Sequence, residues 1–600
     1  MIRDILTRQV ADAITAAQAA GDLPQFDVPE ISLMRPRPEL GDYACSVAMQ
    51  LARIARLPPA QIAQRIARHV VSDIATIEVA SAYVNFRLKP DFLGQQVNAV
   101  LQAGGRWGDI DLGRGAAAQV EHGSANPTGY ATIGTGRNVV TGDTLANALD
   151  AAGYTVHREW YVNDAGNQIR AFGASLFSHY AQALGQDIPL PDKGYAGEDA
   201  VEVGRALAAA EGDRFLGMER DEATRELGRM GIDLVMARIR LTMSRLGIHF
   251  DNFFSERSLY TSGRAERALT ELRARGLLIE HDGALWFSED GSPIRAGQGK
   301  RKTSDEYAES EDVPETKGKP APIQAVVIRS AAVVANPDER ATYFASDIPY
   351  ALNKVVERGF NPAVYVWGED HQADVPRVYA AARALGLPEG SIRLIIYRFI
   401  TLMRGGVEVR MGKRKGNAIL VDDVVDEVGV DAFRYVMLSR SVDTKFTFDL
   451  DLVKEQKNDN PVYYVQYGHA RIASILSKAK EELGVDLDAA YASDYPLPGE
   501  PAELDLIRRT LELPEIIELV ATKLEPHHLT AYAQSLAASF SKFYETCSVL
   551  GRKDSRNAEP ILYPRLKLCR MAQIALARAL RLMGMSAPDR MDRLAEMPED

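Results

Sequence analysis

Ser124-Ala125-Asn126-Pro127-Thr128-Gly129-Tyr130-Ala131-Thr132-Ile133-Gly134-Thr135-Gly136-Arg137 reads as a tight loop that opens a helix, directly behind the strand end Gln119-Val120-Glu121. Strand, glycine-bearing loop and helix in that order form the first unit of an alternating α/β sheet. Such a loop turns backbone N–H groups and the positive end of the helix dipole toward an anion. Gly134 and Gly136 let a phosphate or an adenine approach the backbone closely. The glycines alone are weak evidence, and the strand before them and the helix after them give them weight.

Working outward, residues 116–450 keep the alternation. Asn138–Ala152 has the pattern of a helix, Thr155–Val162 of a strand, Ala363–Trp367 of a short apolar strand followed by a helix through Leu385, and Ile392–Phe399 of another strand. This order predicts a parallel, doubly wound sheet with ligands at its carboxyl edge. Upstream, residues 1–105 read as a small mixed unit, with a helix over Met1–Gly21, a strand over Val28–Met34, an apolar-faced helix over Tyr43–Leu57 and a strand over Ile77–Leu88. Gly104–Gly115 reads as a linker. Residues 290–322 interrupt the core, and Gly297–Lys319, rich in Gly, Lys, Ser and Glu, reads as a surface insertion. Its Lys300-Arg301-Lys302 cluster could touch RNA, although a solvated loop is the favoured reading. Residues 455–600 are helical by pattern, and the long apolar periodicity of Leu566–Leu582 ends near Gly584 and Pro588. The expected fold is therefore α/β multidomain: a Rossmann-type doubly wound core at 116–450, a small α+β N-terminal domain at 1–105 and an all-α C-terminal bundle at 455–600.

At 600 residues the chain is too long for one ordinary domain. Its 46% apolar and 25% charged content is that of a soluble globular protein. No long apolar run predicts a membrane span. Met1-Ile2-Arg3-Asp4-Ile5-Leu6 carries an early acid and lacks the apolar core of a signal peptide. Cys45, Cys547 and Cys569 suit a reducing cytosol and offer no zinc-ligand spacing, so cytoplasmic residence without a tightly bound protein metal is expected. The net charge of −12 argues against nonspecific nucleic-acid binding. A local basic surface would still serve an RNA partner.

The opening stretch, with Gly142-Asp143 in the helix behind it, closely resembles the ATP-binding signature of class I aminoacyl-tRNA synthetases in the arginyl version. The family's "HIGH" histidines fall on Thr132 and Thr135. The resemblance implies that Thr132 and Thr135 occupy catalytic positions and that Gly134 and Gly136 bind ATP. Arg410-Met411-Gly412-Lys413-Arg414-Lys415-Gly416-Asn417 resembles the family's "KMSK" loop, with Met411 and Lys413 matching and Arg410 in place of the first lysine. It implies catalytic roles for Arg410 and Lys413 and ATP contacts for Met411 and Arg414. Cations beside glycines suit the charge that develops on departing pyrophosphate.

Glu121, Ser124, Asn126, Tyr343, Asp347 and His371 fall on positions that the resemblance assigns to arginine. A guanidinium takes planar, anionic, hydrogen-bonding partners. Asp347 and Tyr343 are expected at the guanidinium and Asn126 and Ser124 at the α-amino end, with Glu121 completing the pocket. Glu121 by itself would be read as a structural ion pair, but matches in two distant motifs favour the pocket. His371, in Gly368-Glu369-Asp370-His371, is followed by Gln372-Ala373-Asp374 where the family carries a histidine, a glycine and a tyrosine. Tyr161-Val162-Asn163-Asp164-Ala165-Gly166-Asn167-Gln168 is a further family-like block.

Asn460–Arg471 resembles the start of the arginyl anticodon-binding domain, and Gly41–Met49 the additional N-terminal domain that contacts the tRNA elbow. Tyr463, Tyr467 and Arg471 share a helix face at i, i+4, i+8 and could stack on unpaired bases as tRNA-binding residues, with core packing expected of most tyrosines here. The resemblance implies an arginine–tRNA ligase, a monomer with no membrane partner. It would join L-arginine to ATP, supplied with Mg2+, and pass arginine from the adenylate to tRNA-Arg. Threonine has shorter reach than histidine and no positive charge, and losing one preorganised donor costs about 2.7–4 kcal/mol. Weakened adenylation and ordinary activity thus stand side by side. The alternative is a catalytically weakened or inactive paralogue that binds arginine or tRNA.

Overall fold

The computed structural model describes residues 1–294, 323–328, 342–409, 419–454, 460–497, 499–552 and 555–591, with the side chains of Asn167, Tyr343, Arg552, Ser555 and Arg556 left out. Its centre is a five-stranded sheet built from β1 (Ala117–Glu121), β2 (Thr155–Val162), β3 (Asn252–Ser255), β4 (Ala363–Gly368) and β5 (Ile392–Tyr397). Every neighbour pairs in parallel, in the order β5-β4-β1-β2-β3. The order reverses between β1 and β4, and this switch point is where a doubly wound sheet opens a crevice for ligands. The expected fold class holds, with two changes of boundary. The first helix begins at Ile133 rather than Asn138, which places Thr132 at its N-cap. The predicted strand Ile392–Phe399 stops at Tyr397, and Ile400–Arg404 starts a separate sheet with Val407–Glu408 and Phe446–Asp449.

The first hundred residues carry four helices on a four-stranded antiparallel sheet. Three sequence readings are corrected here. Tyr43–Leu57 divides into the strand Tyr43–Cys45 and the helix Val47–Ala55. Ile77–Leu88 is the greater part of a hairpin, Ala75–Ala80 and Tyr83–Leu88, turned at Ser81 with φ of +56°. Of Val28–Met34 only Leu33–Met34 pairs as a strand. Nor is Gly104–Gly115 a free linker. Trp107 Nε1 donates to the Thr510 carbonyl at 3.2 Å, and Asp109 pairs with Arg578 at 2.5 Å, so the segment is fastened to the helical bundle.

That bundle comprises Pro461–Glu481, Leu487–Ala492, Pro501–Thr510, Leu513–Lys523, His527–Thr546 and Glu559–Leu582, with a two-residue β-hairpin (Gly551–Arg552, Ser555–Arg556) that the helical pattern did not predict. Arg35 and Arg508 tie it to the first unit, through Glu515 at 3.0 Å and Asp42 at 2.7 Å. Arg434, fully buried, ties it to the sheet. Its guanidinium donates to Asp143 at 2.5 Å, to the Met583 carbonyl at 2.7 Å and to the Leu246 carbonyl at 3.0 Å. No helix among the described residues is long and apolar enough to cross a membrane.

Within the sheet one carboxylate collects most of the donors. Glu159 on β2 accepts from Gln119 of β1 (2.6 Å), Asn252 of β3 (2.7 Å), Tyr350 (2.7 Å) and both Arg358 amines (2.9 and 2.7 Å). Burial would raise its pKa, but the contacts of His157 and Arg358 and the field of Lys354 outweigh burial and hold it well below the ordinary range. A group held lower in the folded than in the unfolded chain stabilises above its unfolded pKa and loses that contribution as pH falls. Glu159→Ala leaves the half-buried Arg358 and the buried Gln119 and Tyr350 without their acceptor, so denaturant unfolding should show a loss of about 3–5 kcal/mol at neutral pH. The difference from the wild type should shrink as the titration is carried below pH 4.5, the carboxylate's ordinary value.

Candidate active site

At the carboxyl end of β1 the chain passes through Gly123, whose φ is +87° and where an added Cβ would lie 2.2 Å from the Trp160 ring, so only glycine fits. Asn138, one turn into the following helix, is buried and bridges the switch point: its Oδ1 accepts from Gly123 N, and its Nδ2 donates to the Val366 carbonyl of β4 at 2.6 Å. Arg137 beside it is fully buried, donates to the carbonyls of Arg398, Ser441 (2.9 Å) and Thr444 (3.1 Å), and lies 4.8 Å over the Phe446 ring. Burial draws its pKa down to about 10, so it remains charged at neutral pH. These two neighbours fix the loop without using its reactive face.

The helix N-terminus is left uncapped by side chains. Thr132 makes no capping hydrogen bond and no acid lies in the first turn, so the dipole there is not neutralised. The two positions expected to be catalytic differ in setting: Thr132 is half-buried, whereas Thr135 is buried at 8% exposure. The glycines differ too. A Cβ on Gly134 would meet only its neighbour Thr132 Oγ1, at 3.9 Å, whereas one on Gly136 would lie 2.5 Å from Phe433 Cζ and 3.3 Å from Val421 Cγ2. The Cα of Gly136, expected to bind ATP, is thus packed against Phe433, while that of Gly134 is open. The expected residues Arg410, Met411, Lys413 and Arg414 lie outside the described residues, as do Lys300, Arg301 and Lys302. The chain just after the basic loop does meet the helix start. Ile133 N donates to the Ile419 carbonyl at 3.1 Å, Val421 N to the Ala131 carbonyl at 2.9 Å, and Thr132 bridges Leu420. Asp422, next in line, is held by Arg245 (2.5 Å), Thr242 (2.7 Å) and Arg238 (3.1 Å).

Across the switch point lies an acidic, aromatic pocket. Asp347, in the Tyr343–Leu352 helix, makes no hydrogen bond or ion pair among the described residues and is partly open. Burial pushes its carboxyl well above the ordinary range, and the charges of Asp374, Glu256 and Glu121 add to this against the pull of His371. Glu256, buried, accepts from Ser346 Oγ at 2.6 Å and is raised to about 7, by burial first. The hydroxyl of Tyr365 is buried without a hydrogen-bond partner. Tyr161, Tyr350, Tyr365 and Trp367 form the wall of this region. An unpaired carboxylate among other acids, beside an orphan hydroxyl, is a site built for a cation with several donors.

Of the other expected arginine residues, Asn126 accepts from Asn163 at 2.8 Å and donates to Gln168 at 2.6 Å, which joins the loop to the Tyr161–Gln168 block. Ser124 stands half-buried between Glu121 and Asn126. His371 packs 5.6 Å from the Trp367 ring and lies 3.6 Å from Asp374 and 3.8 Å from Asp370. Burial works against its charge, but these acids raise its pKa overall. Glu121 is corrected: its carboxylate is taken by the fully buried Lys354 and by Trp367 Nε1 at 3.3 Å, so it serves the floor of the site as an ion pair. Lys354 lies 3.4 Å over the Tyr365 ring. Sequence reading missed it because nothing in Asn353-Lys354-Val355-Val356-Glu357 separates an interior lysine from a solvated one; the π-turn there carries it inward. In the bundle, Tyr463 and Tyr467 stack at 5.7 Å with 9° between rings, and Arg471 lies 4.2 Å over Tyr544. All three expected tRNA-binding residues are half-exposed, so none of them is core.

Gly136→Ala should cost about 1–3 kcal/mol of stability through overpacking against Phe433. Gly134→Ala should retain stability in the same denaturation assay, and its effect should appear instead as a raised KM for ATP.

Residues 4–88 match the family described as Arginyl tRNA synthetase N terminal domain, and residues 465–591 the DALR anticodon binding domain. The chain is 40% identical over 594 residues to the arginine–tRNA ligase of Dehalococcoides mccartyi (strain BAV1), covering 98% of this chain and 99% of that one. It is 39% identical over 600 residues to that of Heliobacterium modesticaldum, again 98% and 99%. Among solved structures, Thermus thermophilus arginyl-tRNA synthetase shares the fold at a TM-score of 0.72 and 21% identity, over 98% of this chain and 100% of that one. With near-complete coverage in both directions, the chain belongs to the arginyl-tRNA synthetase family of class I aminoacyl-tRNA synthetases.

Proposed function

We propose that the chain is an arginine–tRNA ligase, joining L-arginine to ATP to give arginyl-adenylate and pyrophosphate and then transferring arginine to tRNA-Arg. The observation that carries this reading is the unpaired Asp347 carboxylate, set among acids beside the unpartnered Tyr365 hydroxyl. A guanidinium supplies both the charge and the several N–H donors that such a pocket lacks. Asp347, with Tyr343 and His371, is assigned to the guanidinium side, and Asn126 with Ser124 to the amino-acid end. Glu121 acts from beneath through Lys354. The uncapped helix start at Thr132 and Gly134 is assigned to ATP, which arrives with Mg2+, and Arg410, Met411, Lys413 and Arg414 to the triphosphate. Tyr463, Tyr467 and Arg471 are assigned to unpaired tRNA bases, for which stacked half-exposed rings are suited. A cytoplasmic monomer accords with this role.

Arginine-dependent ATP–pyrophosphate exchange should be measurable in the presence of cognate tRNA. Absence of exchange both with and without tRNA would overturn the ligase reading and leave the arginine- or tRNA-binding paralogue. Asp347→Ala should weaken arginine binding by about 3 kcal/mol or more in calorimetry, since it removes one partner of a buried charge pair. The threonines are tested separately. Thr132→His, alone or with Thr135→His, should raise the exchange rate if the missing donors limit adenylation, and an unchanged or lower rate counts against that limit.

A further inference from the structure

At the turn between the Leu513–Lys523 and His527–Thr546 helices, Glu525, His527 and His528 present three ligand atoms within 4.8 Å of one another. Leu524, with φ of +61°, reverses the chain there. His528 Nε2 lies 2.9 Å from Glu525 Oε2, and the two imidazoles are 4.2 Å apart between centres with 32° between planes. His527 Nδ1 is buried and has no hydrogen-bond partner among the described residues. Two half-buried imidazoles thus converge with a carboxylate while one ring nitrogen goes unsatisfied, which the surrounding protein does not explain.

We propose that Glu525, His527 and His528 bind a first-row divalent cation of the zinc type, with Asp443, which lines the same cleft as Glu525 from the other side of the domain junction, as an anion outside the ligand triangle. Imidazole with carboxylate selects zinc, cobalt or nickel over magnesium or calcium. Metal–ligand distances of about 2.0–2.2 Å are reached from this triangle by small side-chain rotations. Binding needs neutral imidazoles. The site lies at the positive end of the following helix. That dipole opposes a cation, as do Lys523 and Arg393, which line the adjoining cleft of ≈ 340 Å³. Glu525 and Asp443, which line that same cleft, offset them. The placement gives the site a consequence. Asp443 sits between Ser441 and Thr444, whose carbonyls receive Arg137 from the nucleotide loop. A cation there would clamp the helical bundle to the loop that holds Arg137. The expectation of no protein metal rested on cysteine spacing, and this ligand set contains no cysteine.

The test uses the full-length, untagged protein freed of metal by chelation. Co2+ should bind with one equivalent, giving a visible absorption band that Zn2+ displaces, and saturating Zn2+ should raise the Tm. His527→Gln and His528→Gln should each weaken binding by about tenfold or more, and Asp443→Asn by about tenfold. The absence of saturable binding, or equal affinity in the wild type and the doubly substituted protein, overturns the site. Unchanged affinity in Asp443→Asn overturns the junction-spanning clamp. Circular dichroism of the metal-free variants separates lost ligands from lost folding, and magnesium displacing cobalt at equal concentration overturns the choice of cation.

Discussion

Burying a carboxylate in a sheet is costly unless its lone pairs find donors, and Glu159 meets that condition by drawing in neighbours from the two flanking strands, one helix and the π-turn that follows it. The geometry of the pocket follows from this. Tyr350 and Arg358, which it recruits, belong to the stretch that also carries Asp347 and Lys354, so satisfying Glu159 sets the height and rotation of that segment over the sheet. Lys354 is then committed to Glu121, and Asp347 is left without a cation of its own. Beside this site, Arg358 is spent on Glu159 and Lys354 on Glu121, and the partly open Asp347 is the acid left unpaired.

A second set of buried cations holds the domains to one another. Arg434 reaches the first sheet helix, the Leu246 turn and the end of the last bundle helix at once, and Arg137 reaches three carbonyls beyond β5. Both are arginines for the same reason. A planar group with five donors can satisfy several acceptors on different segments without leaving a buried charge unpaired. The bundle is thereby held to the same helix that starts at the nucleotide loop.

Four of the five strands were legible in the sequence because they are short apolar runs separated by helical spacing, and β2 was placed to the residue, while Glu121 ended β1 as read and the four-residue β3 was missed. Readings failed where a period of two and a period of 3.6 meet within a few residues. Tyr43-Ala44-Cys45 is apolar throughout and so extends the periodicity of the helix behind it. Asp347, Asn126 and the Tyr463–Tyr467 face came from the family resemblance. The pairing of Glu121 with Lys354 could not be read, since it depends on a π-turn that inserts a lysine into an aromatic wall. The unequal settings of Thr132 and Thr135, and of Gly134 and Gly136, were likewise hidden. The difference between the glycines depends on Phe433, which lies far along the chain and packs against the Gly136 side of the helix start.

The backbone ladder that joins Ala131–Ile133 to Ile419–Val421 uses main-chain atoms alone. The docking of the helix start against Ile419–Val421 therefore does not use the side chain at position 132. Chemistry at position 132 can drift, from histidine to threonine or back, with no penalty in docking. Reactivity and assembly are separately adjustable in this active site, and a lineage can retune the first without rebuilding the second.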